Sequence, residues 1–501
     1  MQRLKFPTAL TVLAIVLIVV WVASFFIPSG VYQVNPETGD TIPGTYQELP
    51  SCASAPSGAT CIDKSFLAQF KRLWDASPSG LYGIENEQGH VGADESGTLY
   101  GSAAIFLFVL AIGAFITVTM KTGAIENGIG RLALKFRYSP ALLVAVLMSV
   151  FALGGTTYGM WEETLGFFAL LVPLALALRY DRMVAASMIF LGAGTGVLCS
   201  TVNPFATGVA SDAAGISITD GIGLRLVMFA VLVPAAIGYV LWYGSRVRRD
   251  PSKSLLPREA DAQGEMADVP PLTGRQWLVL GIFFGAFALM IYGFVPWNDV
   301  WNTIFDNDFP LKTFSNFYFP QATVLFFVAA VAIGVIGGFG EEGTVTTMVQ
   351  GAADFLGAGL VIVLARATTV IMKNTYITDT ILHRMEKAVE GTSSFGFAWL
   401  AFLVNLPIAL LVPSSSGHAA LVMPILAPLS GFANVQKSLS VTAYQSASGF
   451  INYITPTSAV VMGGLTIAKV GYDRYLRFVA PFLILVFVII TVFMAIGVAL
   501  G

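Results

Sequence analysis

The sequence predicts an all-α polytopic membrane protein made of two inverted-topology repeats, each holding a re-entrant hairpin and a discontinuous helix. Three observations lead there. The 501 residues are 55% hydrophobic and only 11% charged, whereas soluble domains carry about a quarter charged residues. Several apolar segments are too short to cross about 30 Å of hydrocarbon as a helix, and they come in couples interrupted by polar or Gly/Pro-rich patches. Lys and Arg are spread unevenly over the stretches between spans.

The first span falls within residues 1–28. The apolar run Thr8–Ile27 after MQRLKFP is long enough to cross, and no small-residue cleavage site follows promptly, so a retained helix is expected rather than a signal peptide. Residues 29–101 read as a polar extracytoplasmic loop. Its Cys52 and Cys61 either pair in an oxidising compartment or stay as two loop thiols. A first repeat follows at 102–244, with an inward-side hairpin at 140–178 and a broken helix at 183–215. Residues 245–275, polar and Pro-containing, read as a cytoplasmic linker and 276–338 as scaffold helices. A second repeat occupies 339–501, with an outward-side hairpin at 396–430 and a broken helix at 437–468. Segments 124–137 and 377–390 are amphipathic and read as interfacial connectors.

Orientation follows from the basic residues. With the amino terminus in the cytoplasm, the stretches placed inside hold 17 Lys and Arg and those outside hold seven. Segment 140–178 then has basic flanks at both ends, Lys135 and Arg137 before it and Arg179 and Arg182 after it, so it must enter and turn back. Segment 396–430 does the same from the other side. The halves also correspond in sequence. Met120-Lys121, Ile125 and Ile129 match Met372-Lys373, Ile377 and Ile381 at a constant shift, which also carries Asn203-Pro204 onto Thr455-Pro456. Copies of opposite topology are the mark of a secondary transporter.

Four interruptions lie within these elements: GGTTYGMWEE (154–163), CSTVNPFATG (199–208), PSSSGH (413–418) and NYITPTS (452–458). Unpaired backbone cannot face lipid, so such breaks belong where protein buries them or where they line a watery cavity. There they expose helix N-termini for anions and free carbonyls for cations. Proline at 204 and 456 stops a helix, and glycine at 154, 155 and 417 lets backbone approach a ligand. The candidate binding residues are Thr156, Thr157, Ser200, Thr201, Asn203, Ser414, Ser415, Ser416, Asn452, Thr455 and Thr457. Na⁺ is expected near Thr156, Asn203, Ser415 and Thr455. Glu162 and Glu163 adjoin the first tip, and intramembrane acids mark functional sites. They suit a cationic group or a proton relay. Arg366 either attracts a substrate carboxylate or pairs with an acid, and His418 either titrates or packs beside the second tip. The coupling ion is Na⁺ or H⁺, and no other cofactor is expected. No metal-ligand spacing, nucleophile–base constellation or basic nucleic-acid-binding run occurs, which argues against an enzyme or a nucleic-acid partner.

The runs PTALTVLAIVLIVVWVASFFIPSGVYQ, STVNPFATGVASDAAGISITDGIGLR, VPSSSGHAALVMPILAPLS and NYITPTSAVVMGG resemble the YfcC-type carriers. Those in turn resemble the C4-dicarboxylate anaerobic carriers (DcuC type) of the ion-transporter superfamily. The resemblance covers nearly the whole chain. It implies an elevator mechanism, with a scaffold that forms a homodimer and a mobile domain of two hairpins and two broken helices. It also implies that the tips at 154–163 and 413–418 and the breaks at 200–204 and 454–458 line the site. Similar proteins are associated with dicarboxylates and with basic amino acids, including arginine/ornithine exchange.

The expected function is a bacterial inner-membrane secondary transporter, symporter or antiporter, of a small carboxylate-bearing metabolite. An amino acid, arginine- or ornithine-like, is favoured by the paired acids of WEETLGFF, with a C4-dicarboxylate as the alternative. The rival class is a non-transporting membrane sensor or scaffold.

Overall fold

The computed structural model describes residues 9–33, 42, 44–52, 61–86, 90–136, 138–256, 270–295, 297–298, 312–314, 317–389, 391–412, 414–456 and 458–501. Eighteen helices are named here: α1 (Ala9–Ala23), α2 (Phe66–Tyr82), α3 (Ala103–Lys121), α4 (Ala124–Lys135), α5 (Pro140–Tyr158), α6 (Phe168–Ala177), α7 (Arg182–Leu198), α8 (Val209–Ala214) and α9 (Ile222–Arg249). They continue with α10 (Gly274–Phe294), α11 (Phe319–Gly337), α12 (Gly340–Asn374), α13 (Ile377–Val389), α14 (Ser394–Leu411), α15 (Ser415–Phe432), α16 (Lys437–Asn452), α17 (Ala459–Ile467) and α18 (Tyr472–Leu500). Seven of the described helices are long and apolar enough to cross a membrane: α3, α5, α9, α10, α11, α12 and α18.

Polar capping residues start several of these helices where apolar periodicity begins. Asp181 Oδ1 accepts from the Val184 N–H at 2.9 Å ahead of α7, and Thr273 forms a capping box with Gln276 ahead of α10. The last turn of α9 carries Arg246, Arg248 and Arg249, a favourable charge at a helix C-terminus.

The helices pack as two bundles. In the first, α3 and α12 cross face to face, with α1, α2, α10 and α11 packed around them. Small residues let the two backbones meet: a Cβ placed on Gly113 would lie 2.6 Å from the Gly351 carbonyl oxygen. Phe108, Phe115, Phe283, Phe287 and Phe326 interlock between α3, α10 and α11 with ring centroids 5.0–5.9 Å apart.

The second bundle contains α5 and α6, the interrupted pairs α7/α8 and α16/α17, the pair α14 and α15, and the flanking α9 and α18. Here α5 meets α7 through glycine, and a Cβ on Gly196 would sit 2.1 Å from the Ala152 carbonyl oxygen. Backbone cannot yield as a flexible side chain can. Gly196→Ala is therefore expected to cost about 1–3 kcal/mol through overpacking, read as a lower thermal midpoint in detergent. An unchanged midpoint would show that α5 and α7 can separate freely.

Hydrogen bonds collect the inter-helix segments onto two faces. On one face Gln276 Nε2 donates to the Thr122 carbonyl (3.1 Å), Arg131 Nε to Pro270 (2.9 Å), and Arg474 to Leu255 (3.1 Å). Asp181 there accepts from Tyr243 and Ser254, both at 2.7 Å. On the opposite face the 29–101 segment docks on the end of α12 and on α13. Asn374 bonds both backbone groups of Val91, Asp379 accepts from the Tyr32 N–H at 2.9 Å, and Tyr46 stacks on His383 with centroids 4.2 Å apart. Cys52 and Cys61 form a disulfide in this segment.

Two features depart from the sequence reading. The 29–101 segment, expected to be loop, contains α2 and two small antiparallel sheets: β1 (Ser29–Val31) with β2 (Gln47–Leu49), and β3 (Ile84–Glu85) flanked by β4 (Val91–Gly92) and β5 (Thr98–Leu99). The fold is thus helical with a minor β component, because short strand pairs satisfy backbone groups that no helix covers. Residues 340–358, whose small and polar side chains interrupt any continuous apolar run, belong to a single helix of 35 residues, α12, about 50 Å long at 1.5 Å per residue.

Candidate functional site

A cavity of about 650 Å³ lies where the two bundles meet. The second bundle contributes all four interruptions: Gly159, Trp161, Glu162 and Glu163 after α5; Val197, Asn203 and Phe205 around the α7/α8 break; Ser414, Ser415 and Ser416 before and within α15; and Asn452, Ser458 and Val460 around the α16/α17 break. The first bundle supplies the facing wall, Ile116, Thr117 and Met120 of α3 and Asp354, Phe355 and Ala358 of α12. Phe205 packs against Phe355 across the boundary, with centroids 5.5 Å apart.

Each break exposes a helix end for a local reason. Asn203 caps the π-helical turn Pro204–Gly208 that leads into α8, its Oδ1 accepting from the Phe205 N–H at 2.9 Å and the Ala206 N–H at 3.3 Å. Ser414 accepts from the Gly417 N–H at 3.3 Å at the start of α15, and Ser458 from the Val461 N–H at 3.4 Å at the start of α17. Helix α5 ends at Gly159, whose φ of +80° suits glycine. A Cβ there would also lie 2.8 Å from Asn203 Oδ1. Three helix N-termini with their partial positive charge thus border the cavity.

Against them stand three carboxylates, Glu162, Glu163 and Asp354, and no Lys, Arg or His lines the cavity among the described residues. One Glu163 oxygen accepts from the Trp161 N–H at 3.2 Å. Glu162 and Asp354 are exposed into the cavity. The acids do not form a metal cluster, since no group of three His, Cys, Asp or Glu able to hold a metal ion occurs among the described residues. The arrangement suits a solute with a carboxylate for the helix N-termini and a cationic group for the acids.

A sequence model of the family described as "DcuC: C4-dicarboxylate anaerobic carrier" matches residues 6–499. The chain belongs to the DcuC family. A DcuC-family protein of this kind is a membrane transporter with a small-molecule substrate, not an enzyme. The chain is 31% identical over 413 residues to the "Putative basic amino acid antiporter YfcC" of Escherichia coli (strain K12), covering 79% of this chain and 78% of that one. It is 30% identical over 500 residues to a Haemophilus influenzae protein named "Uncharacterized protein", covering 96% and 94%. In three dimensions it is similar to the YdaH transporter of Alcanivorax borkumensis, with a TM-score of 0.66, 13% identity and 99% of each chain covered. MtrF of Neisseria gonorrhoeae, described as one of a class of antimetabolite efflux pumps, gives a TM-score of 0.64 at 16% identity, covering 98% of this chain and 95% of that one. At these identities the likeness concerns the fold.

Within this DcuC-family fold the residues singled out from sequence separate into groups. Glu162, Glu163, Asn203, Ser414, Ser415, Ser416 and Asn452 line the cavity. Thr156, Ser200 and Thr201 are buried beside it and tie α5 to the first break: Thr156 Oγ1 donates to the Cys199 carbonyl at 2.9 Å, and the Thr201 N–H to the Thr156 carbonyl at 3.1 Å. Thr157 bonds back to the Leu153 carbonyl of its own helix at 2.6 Å. Thr455 is fully buried outside the lining, and Thr457 lies outside the described residues. Arg366 is not in the cavity but pairs with Asp212 of α8, its guanidinium stacked 4.8 Å from the Tyr100 ring centroid. His418 packs behind the second tip, with Nε2 2.7 Å from Asn405 Oδ1 and its ring against Tyr444.

Sequence reasoning missed Asp354, Trp161, Thr117 and Gln445. Gln445 Nε2 and Thr207 Oγ1 both donate to the Ser200 carbonyl at 3.1 Å, so α16 steadies the opposite break. Asp354 had an available sign: a lone acid ahead of FLGAGLVIVLA, well inside a continuous helix.

Proposed function

We propose that the protein is a secondary carrier of amino acids with a cationic side chain, working by an elevator cycle between two inverted repeats. One observation carries the substrate reading: the cavity combines three carboxylates with helix N-termini and has no basic lining residue among those described. A C4-dicarboxylate would bring two negative charges to a cavity whose ionisable side chains, among the described residues, are all acids. An arginine-, lysine- or ornithine-like solute matches both halves of the lining. The YfcC relative, named as a basic amino acid antiporter, supports the same reading.

The elevator reading draws support from the two bundles, which touch the solute space from opposite sides. Basic residues favour a cytoplasmic amino terminus, and the bacterial relatives favour a bacterial inner membrane as the location. Exchange of one cationic amino acid for another, or coupling to Na⁺ or H⁺, completes the proposal.

Reconstituted protein tests it. Proteoliposomes loaded with unlabelled ornithine should take up labelled arginine saturably, while succinate should neither enter nor compete. Thermal stabilisation by arginine but not succinate should accompany flux, because ligand binding to the native state alone raises stability by mass action. Saturable binding without flux would make the protein a sensor, and succinate flux alone would restore the dicarboxylate reading.

A further inference from the structure

Asp354 differs from the other two cavity acids in where it is anchored. Glu162 and Glu163 sit in the turn after α5, on the bundle that holds every break. Asp354 sits on α12, one turn beyond Gly351, where α12 presses on α3. A Cβ on Gly351 would come within 2.5 Å of the Gly113 carbonyl oxygen, and one on Gly113 within 2.6 Å of the Gly351 oxygen. Such a crossing has no side-chain layer to deform, so it holds Asp354 rigidly to the first bundle. Its carboxylate is exposed into the cavity and has no ion-pair partner among the described residues.

We infer that Asp354 is a specificity-determining residue that acts on the cationic end of the substrate from one side of the membrane only. The inference rests on the carrier reading above and extends it. When the bundles shift relative to one another, a group on the breaks travels with the solute and meets it in both access states. A group fixed to the facing wall meets it in one. Removing the fixed charge therefore weakens recognition on one side, whereas removing a travelling charge weakens it on both.

The test compares wild type with Asp354→Asn and Asp354→Glu in proteoliposomes of sorted orientation, reading half-saturating arginine on each side. Asp354→Asn is expected to raise that concentration about tenfold on one side, the size of one lost charge interaction in a partly wet site, and less than about twofold on the other. Asp354→Glu should restore most of the difference, and neutral amino acids should be insensitive to either change. Because Asp354 faces open space, the Asn variant should keep the wild-type thermal midpoint. A loss that Asp354→Glu fails to restore on either side would instead assign the residue a packing role and overturn the inference. Equal shifts on both sides, or none, would also overturn it while leaving the carrier reading intact. Wild type that moves no basic amino acid would remove the carrier reading and this inference together.

Discussion

Glu163→Gln is expected to lower arginine exchange between ten- and a hundredfold, the range of about 1.5–3 kcal/mol for one hydrogen bond to a charged group. The Trp161 amide already occupies one of its oxygens, which aims the other and reduces the ordering cost of binding. Glu162→Gln should cost less, because Glu162 is exposed in the cavity. Counterflow in proteoliposomes measures both. The effect should be specific for the cation: a neutral amino acid that the carrier accepts should lose little. Full retention of arginine exchange in the double Gln variant would remove these residues from substrate recognition.

The second large effect concerns the ion pair between the bundles. Arg366 and Asp212 have side chains only 14% and 28% exposed. Removing one partner leaves a poorly hydrated charge, at a cost of about 3 kcal/mol. Arg366→Gln and Asp212→Asn should each lower the thermal midpoint clearly. The double neutral variant should recover most of the loss, since a buried pair replaced by neutral groups is often close to neutral in stability. Additive losses in the double-mutant cycle would mean that the two groups are independent.

The sites of the four interruptions were legible because each one sets proline, glycine or clustered hydroxyls inside an apolar run, a pattern with few uses in a membrane. Which hydroxyls face the cavity was not legible. Thr156 and Thr201 have the same composition signature as Ser414 and Ser415, yet they bond across to a neighbouring element and are buried. Polarity at a break reports unsatisfied backbone, while direction depends on which helix lies beside it. Asp354 was missed for a different reason. Hydropathy is low through GEEGTVTTMVQGAAD although the helix already runs there, so the apolar pattern begins well after the helix does. The partner of Arg366 was equally hidden, because Asp212 lies 154 residues away in sequence and meets it only through tertiary packing.

The acids of the lining also bear on the vacant protein. In the proposed cycle the tip carrying Glu162 and Glu163 must pass a low-dielectric barrier with nothing bound. Each bare carboxylate then incurs a desolvation cost of several kcal/mol. A resident cation or a captured proton cancels that cost, so the loaded tip crosses readily and the empty one stalls. Such a carrier idles unless there is a cargo for the return leg. The transmembrane potential would act on whichever leg moves net charge, with a force of about 2.3 kcal/mol per charge per 100 mV.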